Sequence, residues 1–195
     1  MRRTETIEAS YFDELFRDNP DPWRFRTSRY EASKYCATLA ALSGRRYGNA
    51  LEVGCANGVF TRKLAACCQT LTAVDISVEA IAIARHECQG TDHVSFKATD
   101  FLSNPFPATS FDLMVLSEVV YYWSDAAIVQ AANILSQCRR AGGSLLLVHW
   151  TGRTDYPQSG DEAVLKLQDQ LGGLVQTIRS DRHRAYRLDL WEWQS

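Results

Sequence analysis

The sequence has no long block of lysine or arginine, no cysteine pair at CxxC spacing, no internal repeat, no low-complexity linker and no apolar run of membrane-spanning length. Each absence removes a class of function. Lysine and arginine number 21 against 23 aspartates and glutamates, a formal net charge of -2 at pH 7, so an extended nucleic-acid-binding face is not expected. The six cysteines, Cys36, Cys55, Cys67, Cys68, Cys88 and Cys138, lie at no metal-ligand spacing, which argues against a structural zinc site and leaves no metal to assign. Neighbouring Cys67 and Cys68 are expected inside an apolar helix, where free thiols pack as small hydrophobes. Residues 1–6 lead into no apolar run, so no secretory signal and no membrane partner are expected, and a cytoplasmic location is the default.

What is present fits one globular domain: 195 residues, 46% hydrophobic and 23% charged, enough to bury a sizeable core. An amphipathic helix is expected over residues 7–19, with Tyr11, Phe12, Leu15 and Phe16 on one side, stopped by Asn19-Pro20-Asp21-Pro22. A loop rich in aromatics and arginines, 23–30, precedes a second helix over 31–42. Short apolar strands then alternate with helices: strand 49–53, a glycine-containing turn 54–58, helix 59–68, strand 71–75, helix 78–88 and strand 94–99. A proline-containing loop, 104–107, leads to strand 111–116, helix 125–140, a break at Gly142-Gly143 and strand 144–149. That alternation predicts an α/β fold with right-handed crossovers and a largely parallel sheet covered on both faces. A helix near 161–171 and two strands, 174–178 and 186–193, predict an antiparallel hairpin as its finish. The cluster Arg179, Arg182, Arg184 and Arg187, interleaved with Asp181 and Asp189, reads as a solvated hairpin and secondarily as a contact surface for an anion. Residues 1–48 are thus a helical N-terminal segment, 49–150 the core and 151–195 a C-terminal helix and hairpin.

The first strand ends in Glu52-Val53-Gly54-Cys55-Ala56-Asn57-Gly58. A nucleotide-like ligand approaches a strand-to-helix turn closely only where side chains are absent, and glycine also permits positive φ. The turn departs from the dinucleotide fingerprint GxGxxG: its glycines are Gly54 and Gly58, Ala56 lies between them, and an acid precedes the first glycine. A second acid, Asp75, ends the next strand 17 residues past Gly58, where a carboxylate can accept two ribose hydroxyls. A third, Asp100, closes the third strand and is followed by Phe101. Singly, a GxxxG turn is weak evidence and a strand-end aspartate commonly caps the next helix. Three acids at the carboxyl ends of three successive strands converge on the edge where open α/β sheets bind ligands.

On these residues the chain resembles the class I S-adenosylmethionine-dependent methyltransferases over roughly 49–149. That resemblance implies the Rossmann-like class I fold with a seven-stranded sheet and S-adenosylmethionine as cofactor, S-adenosylhomocysteine being the product. It also implies that Glu52, Gly54, Ala56 and Gly58 frame the methionine and ribose end. Asp75 would hold the ribose hydroxyls, Ile76 pack on adenine, Asp100 accept from the adenine amino group with Phe101 beside the ring, and Ser117 and Glu118 border the sulfonium and the substrate. Asp21-Pro22-Trp23, Ser28, Tyr30-Glu31, Lys34-Tyr35, residues 39–42, Leu51-Glu52-Val53-Gly54-Cys55, Phe60-Thr61, Leu64-Ala65, Ala73-Val74-Asp75-Ile76-Ser77 and Tyr121-Tyr122-Trp123 are similar to the nodulation S-type N-methyltransferases of rhizobia. That closer resemblance implies methylation of the free amine of a deacetylated chitooligosaccharide in nodulation-factor synthesis.

Methyl transfer from a sulfonium is an in-line displacement helped mainly by alignment and exclusion of water. An attacking amine must be unprotonated, so a proton acceptor is sought among Glu118, Tyr122 and His149; the alternatives for these three are a turn cap, a core tyrosine and a strand-end histidine. The aromatics Trp23, Phe25, Tyr30, Tyr121, Tyr122, Trp123, Trp150 and Tyr156 fall in loops expected at one edge, and Tyr121, Trp123 and Trp150 are candidates for contact with sugar faces. The N-terminal segment reads as a lid whose Trp23, with Arg24, Arg26 or Arg29, encloses the methionine part of the cofactor. Rival readings are a methyltransferase for another small molecule, an NAD-dependent oxidoreductase and a scaffold without catalysis. A monomer or weak dimer with a small-molecule or oligosaccharide substrate is expected.

Overall fold

The structure, a computed structural model, describes residues 2–103, 106 and 111–195. It forms two compact units, one of Glu8–Asp100 and one of Met1–Ile7 with Phe101–Ser195. In the first, α1 (Ala9–Asp18) and α2 (Arg29–Ala41) precede β1 (Tyr47–Val53), α3 (Val59–Leu64), β2 (Cys68–Asp75), α4 (Val78–Glu87) and β3 (Val94–Ala98). Strand β2 pairs in parallel with β1, Val74 beside Val53, and with β3, Asp75 beside Ala98. Cys55, Ala73, Ile81 and Ala84 are buried together, with Val94 and Phe96 against them; burying a side chain such as Ile81 contributes about 2 kcal/mol. Ser77 starts α4 by accepting from the Ala80 N–H at 3.1 Å, a cap of about 1 kcal/mol.

The second unit holds β4 (Phe111–Ser117), α5 (Asp125–Cys138), β5 (Arg139–Trp150), α6 (Gly160–Leu171), β6 (Val175–Arg182) and β7 (Tyr186–Trp193). β4 and β5 are parallel, whereas β7 runs antiparallel to both β5 and β6. The strand order is β3-β2-β1 in the first unit and β4-β5-β7-β6 in the second, the expected parallel strands with an antiparallel finish. Helix α6 begins with a reciprocal cap: Ser159 accepts from the Glu162 N–H, and Glu162 reaches back to the Ser159 N–H at 2.8 Å. Gly160 must be a glycine, because a Cβ there would lie 2.2 Å from the Trp150 carbonyl oxygen. No helix among the described residues is long and apolar enough to cross a membrane.

Several boundaries differ from the sequence reading. Helix 59–68 stops at Leu64, residues Ala65–Cys67 form a 3-10 turn, and Cys68 opens β2 beside Tyr47 of β1. Cys67 and Cys68 are therefore not helical, since the strand pairing claims Cys68 and shortens the helix. Helix 125–140 ends at Cys138, and Gly142-Gly143 lie inside β5, opposite an irregularity between Phe111 and Leu113. A Cβ on Gly143 would meet the Arg140 carbonyl oxygen at 2.8 Å and the Asp112 Cα at 3.1 Å, so these glycines shape a bulge instead of ending a helix. β3 ends at Ala98, two residues short of Asp100. Arg179 and Arg182 belong to β6, and Arg187 pairs with the buried Asp189 on β7. The loop expected over 104–107 lies outside the described residues apart from Phe106.

Candidate active site

In the Glu8–Asp100 unit the glycine turn takes an alternating left-handed path, with φ of 79° at Gly54, 48° at Ala56 and 80° at Gly58. Gly58 needs both this backbone and its missing side chain, since a Cβ would lie 2.8 Å from the Ala84 Cα of α4. Ala56 holds the same left-handed region as a non-glycine, a strain of about 1–2 kcal/mol. Its N–H donates to Asp75 Oδ2 at 2.8 Å, and Asp75 Oδ1 accepts from the Ser77 N–H at 2.9 Å. The carboxylate that ends β2 is thereby clamped at the mouth of the turn. Burial raises the Asp75 carboxyl to about 6, against the pull of those two N–H groups and with the Asp13 charge adding to the rise. Asp13 itself accepts from the Ser77 hydroxyl at 2.6 Å.

Glu52, on β1, is almost fully buried, and burial lifts its carboxyl to about 7; Thr61 pulls the other way and the Asp75 charge adds to the rise. Its Oε2 is buried without a hydrogen-bond partner, the signature of an acceptor awaiting a donor. Ile76 and Asp100 are half-buried. Trp23 is half-buried too, edge-on to Phe16 at 5.6 Å and stacked on Phe25 at 5.4 Å. An aromatic row continues from Phe25 to Tyr35 and from Tyr35 to Phe60 on α3, so the N-terminal helices pack on the helix that follows the turn. Of the three lid arginines, Arg26 is committed to Glu87 at 3.0 Å, while Arg24 and Arg29 are exposed. Sequence reasoning missed Asn57 and Asp13, whose partners lie 36 and 64 residues away; nothing local marks either.

The second unit carries a cluster around Glu118, which follows β4 with φ 58°. Its N–H donates to the Val148 carbonyl at 2.8 Å, and its Oε2 accepts from the Tyr121 hydroxyl at 2.9 Å and from the Trp150 N–H at 2.7 Å. Burial, then the Glu118 charge, pushes the Tyr121 phenol up; burial and Tyr156 do the same to Tyr122. The Tyr121 ring is edge-on to Tyr122 at 4.6 Å and to His149 at 5.5 Å, and it stacks on Tyr156 at 5.5 Å. His149 is fully buried and its Nε2 accepts from the Val120 N–H at 3.1 Å, a contact that orders the turn after β4. Trp123 is buried and stacked on Phe101 at 6.0 Å, whereas Trp150 is exposed with its ring over Gly152. Ser117, the last residue of β4, is half-buried. Residues 2–7 belong to this unit: Ile7 N–H donates to the Tyr122 carbonyl, and Arg2 Nε donates to the Tyr156 carbonyl at 2.8 Å.

Comparison with known proteins matches residues 12–181 to the family model described as NodS, Nodulation protein S. Nodulation protein S of Sinorhizobium fredii is 37% identical over 126 residues, covering 63% of this chain and 57% of that protein. The protein of the same name from Bradyrhizobium diazoefficiens is 41% identical over 122 residues, covering 60% and 56%. The chain thus spans little more than half the length of the curated relatives it matches. Among solved structures, N-methyltransferase NodS from Bradyrhizobium japonicum in complex with S-adenosyl-L-homocysteine superposes with a TM-score of 0.83 at 25% identity, covering 96% of this chain and 98% of that one.

Proposed function

Because the chain belongs to the NodS (Nodulation protein S) family, we propose that it is an S-adenosylmethionine-dependent N-methyltransferase that acts on the free amine of a deacetylated chitooligosaccharide in nodulation-factor synthesis. The observation that carries this reading is the Asp75 carboxylate, clamped by the Ala56 and Ser77 N–H groups beside a turn left-handed at residues 54, 56 and 58. A carboxylate so fixed keeps lone pairs for two adjacent ribose hydroxyls. The close approach of α4 to Gly58 keeps the turn bare of side chains, and the unpartnered Glu52 Oε2 supplies a further acceptor. These donors and acceptors fit a nucleoside bearing an amino acid.

The cofactor supplies an electrophilic methyl group on a sulfonium. The chain's own residues bind and orient. Asp75 would hold the ribose, Glu52 and the turn the methionine end, Ile76 would pack on adenine and Asp100 would accept from its amino group. On the acceptor side, Glu118 receives the proton that the amine loses. Its Oε2 is fixed by the Tyr121 hydroxyl and the Trp150 N–H, while His149 fixes the turn carrying Tyr121 through Val120. Trp150 offers an exposed ring to a sugar face.

The test is calorimetric titration with S-adenosylhomocysteine, alone and with a chitosan oligomer, followed by a methyl-transfer assay on that oligomer. Binding with N-methylation of the oligomer supports the whole reading. Binding with no transfer overturns the substrate and leaves the cofactor, and failure to bind overturns both.

A further inference from the structure

We propose that Asn57 is a positioning residue that ties the Asp21-Pro22-Trp23 loop to the glycine turn, so that the order of the loop and the occupancy of the turn are coupled. This rests on the reading that the turn holds S-adenosylmethionine.

Asn57 lies between the left-handed residues Ala56 and Gly58 and is 1% exposed. Its Nδ2 donates to Asp21 Oδ1 at 2.9 Å and to the Pro20 carbonyl at 3.3 Å. Asp21 is the hub of its own loop: Oδ1 also accepts from the Phe25 N–H at 2.7 Å, Oδ2 accepts from the Arg26 N–H at 3.1 Å, and its own N–H donates to Asn19 Oδ1 at 2.9 Å. One amide therefore joins the carboxylate that shapes the loop to the turn that faces the ligand. The N–H of the preceding residue, Ala56, is held by Asp75. A ligand that engages Asp75 and settles the turn settles Asn57 with it, and through Asp21 it settles the segment carrying Trp23.

The acceptor end of the same amide argues against a purely stabilising role. Asn57 Oδ1 is buried without a hydrogen-bond partner, and an unmet buried acceptor works against folding. Replacing the side chain removes two donated bonds but also this orphan, so Asn57→Ala is expected to change Tm by no more than about 4 °C. What the variant loses is the connection.

Limited trypsin digestion reads that connection directly, because Arg24 and Arg26 lie in the loop and are exposed. Cleavage after each is followed by mass spectrometry with and without S-adenosylhomocysteine, alongside its Kd by calorimetry. In the wild-type chain the ligand slows cleavage at both sites. In Asn57→Ala the unliganded loop is cut about tenfold faster, ligand protection falls away, and Kd rises about tenfold, the factor carried by one lost hydrogen bond to a carboxylate. Asp21→Asn preserves shape and gives the same changes in smaller measure. The exchanged pair Asn57→Asp with Asp21→Asn, which restores a donor opposite an acceptor, recovers part of the protection that Asn57→Asp alone abolishes. Undiminished protection and affinity in Asn57→Ala overturn the coupling alone, as does a swap with no recovery. Absence of binding and protection in the wild-type chain overturns the cofactor reading and the coupling with it.

Discussion

Gly58 and Gly44 offer a matched pair that isolates close packing from backbone strain. Both glycines are left-handed, with φ of 80° and 67°, and both lie in the Glu8–Asp100 unit. A Cβ on Gly44 would meet nothing within 4 Å, whereas one on Gly58 would lie 2.8 Å from the Ala84 Cα and 3.1 Å from its carbonyl oxygen. Alanine at either position costs about 1–2 kcal/mol for left-handed backbone, offset by about 0.4–1 kcal/mol from a less flexible unfolded chain. At Gly58 the obstacle is helix backbone, which cannot rotate aside, and overpacking adds about 1–3 kcal/mol. Gly44→Ala should therefore cost about 1 kcal/mol and Gly58→Ala about 2–4 kcal/mol, a Tm loss near 3 °C against one near 10 °C for a chain of this size. Thermal unfolding followed by circular dichroism measures the difference. Affinity for S-adenosylhomocysteine should fall only in Gly58→Ala, because α4 is pushed off the turn. Equal Tm losses in the two variants would refute the argument that proximity of α4, and not backbone conformation, demands glycine at 58.

Two further predictions concern carboxylates. Glu52 and Asp75 have folded values of about 7 and about 6, above their ordinary 4.5 and 3.8, so the native chain holds protons that the unfolded chain releases, and stability falls as pH rises between about 4 and 7. Glu52→Gln removes the larger part, and urea unfolding should find it about 2–3 kcal/mol more stable than wild type at pH 7.5, the gap closing near pH 4; a variant less stable than wild type at pH 7.5 contradicts the burial argument. Tyr121→Phe removes one of two donors on Glu118 Oε2 and should lower kcat for methyl transfer about tenfold with the S-adenosylhomocysteine Kd unchanged, whereas a fall in cofactor affinity with unchanged kcat would move Tyr121 to the other side of the reaction.

The alternation of apolar strands and helices was readable because periodicity is local. Boundaries moved where a distant partner decided. Residues 59–68 have the composition of one helix, yet pairing of Cys68 beside Tyr47 takes the last residue into β2. Gly142-Gly143 carry a true local signal, that helix cannot pass them. The missing information was Asp112, whose Cα stands 3.1 Å from where a Gly143 Cβ would be; seen from that neighbour, the glycines belong inside a strand.

The same distinction sorts the site residues. Ala56 stands where the GxGxxG fingerprint has its second glycine, and residue type alone does not tell whether the turn stays tight. The backbone does stay left-handed there, at φ 48°, and the N–H of the strained residue is the one that grips Asp75. An extended backbone at 56 would relieve the strain and turn that N–H away, so the strain and the clamp are one feature. His149 shows the converse. A histidine ending a buried strand next to a cluster of tyrosines suggests a base, and nothing local shows that its Nε2 accepts the Val120 N–H, 29 residues away. Residue type and strand position identify which side chains gather at the ends of β1 and β2 in one unit, and of β4 and β5 in the other. Which of their polar atoms are already engaged is decided by contacts 19 to 36 residues apart in sequence, and no local pattern of residue types carries that information.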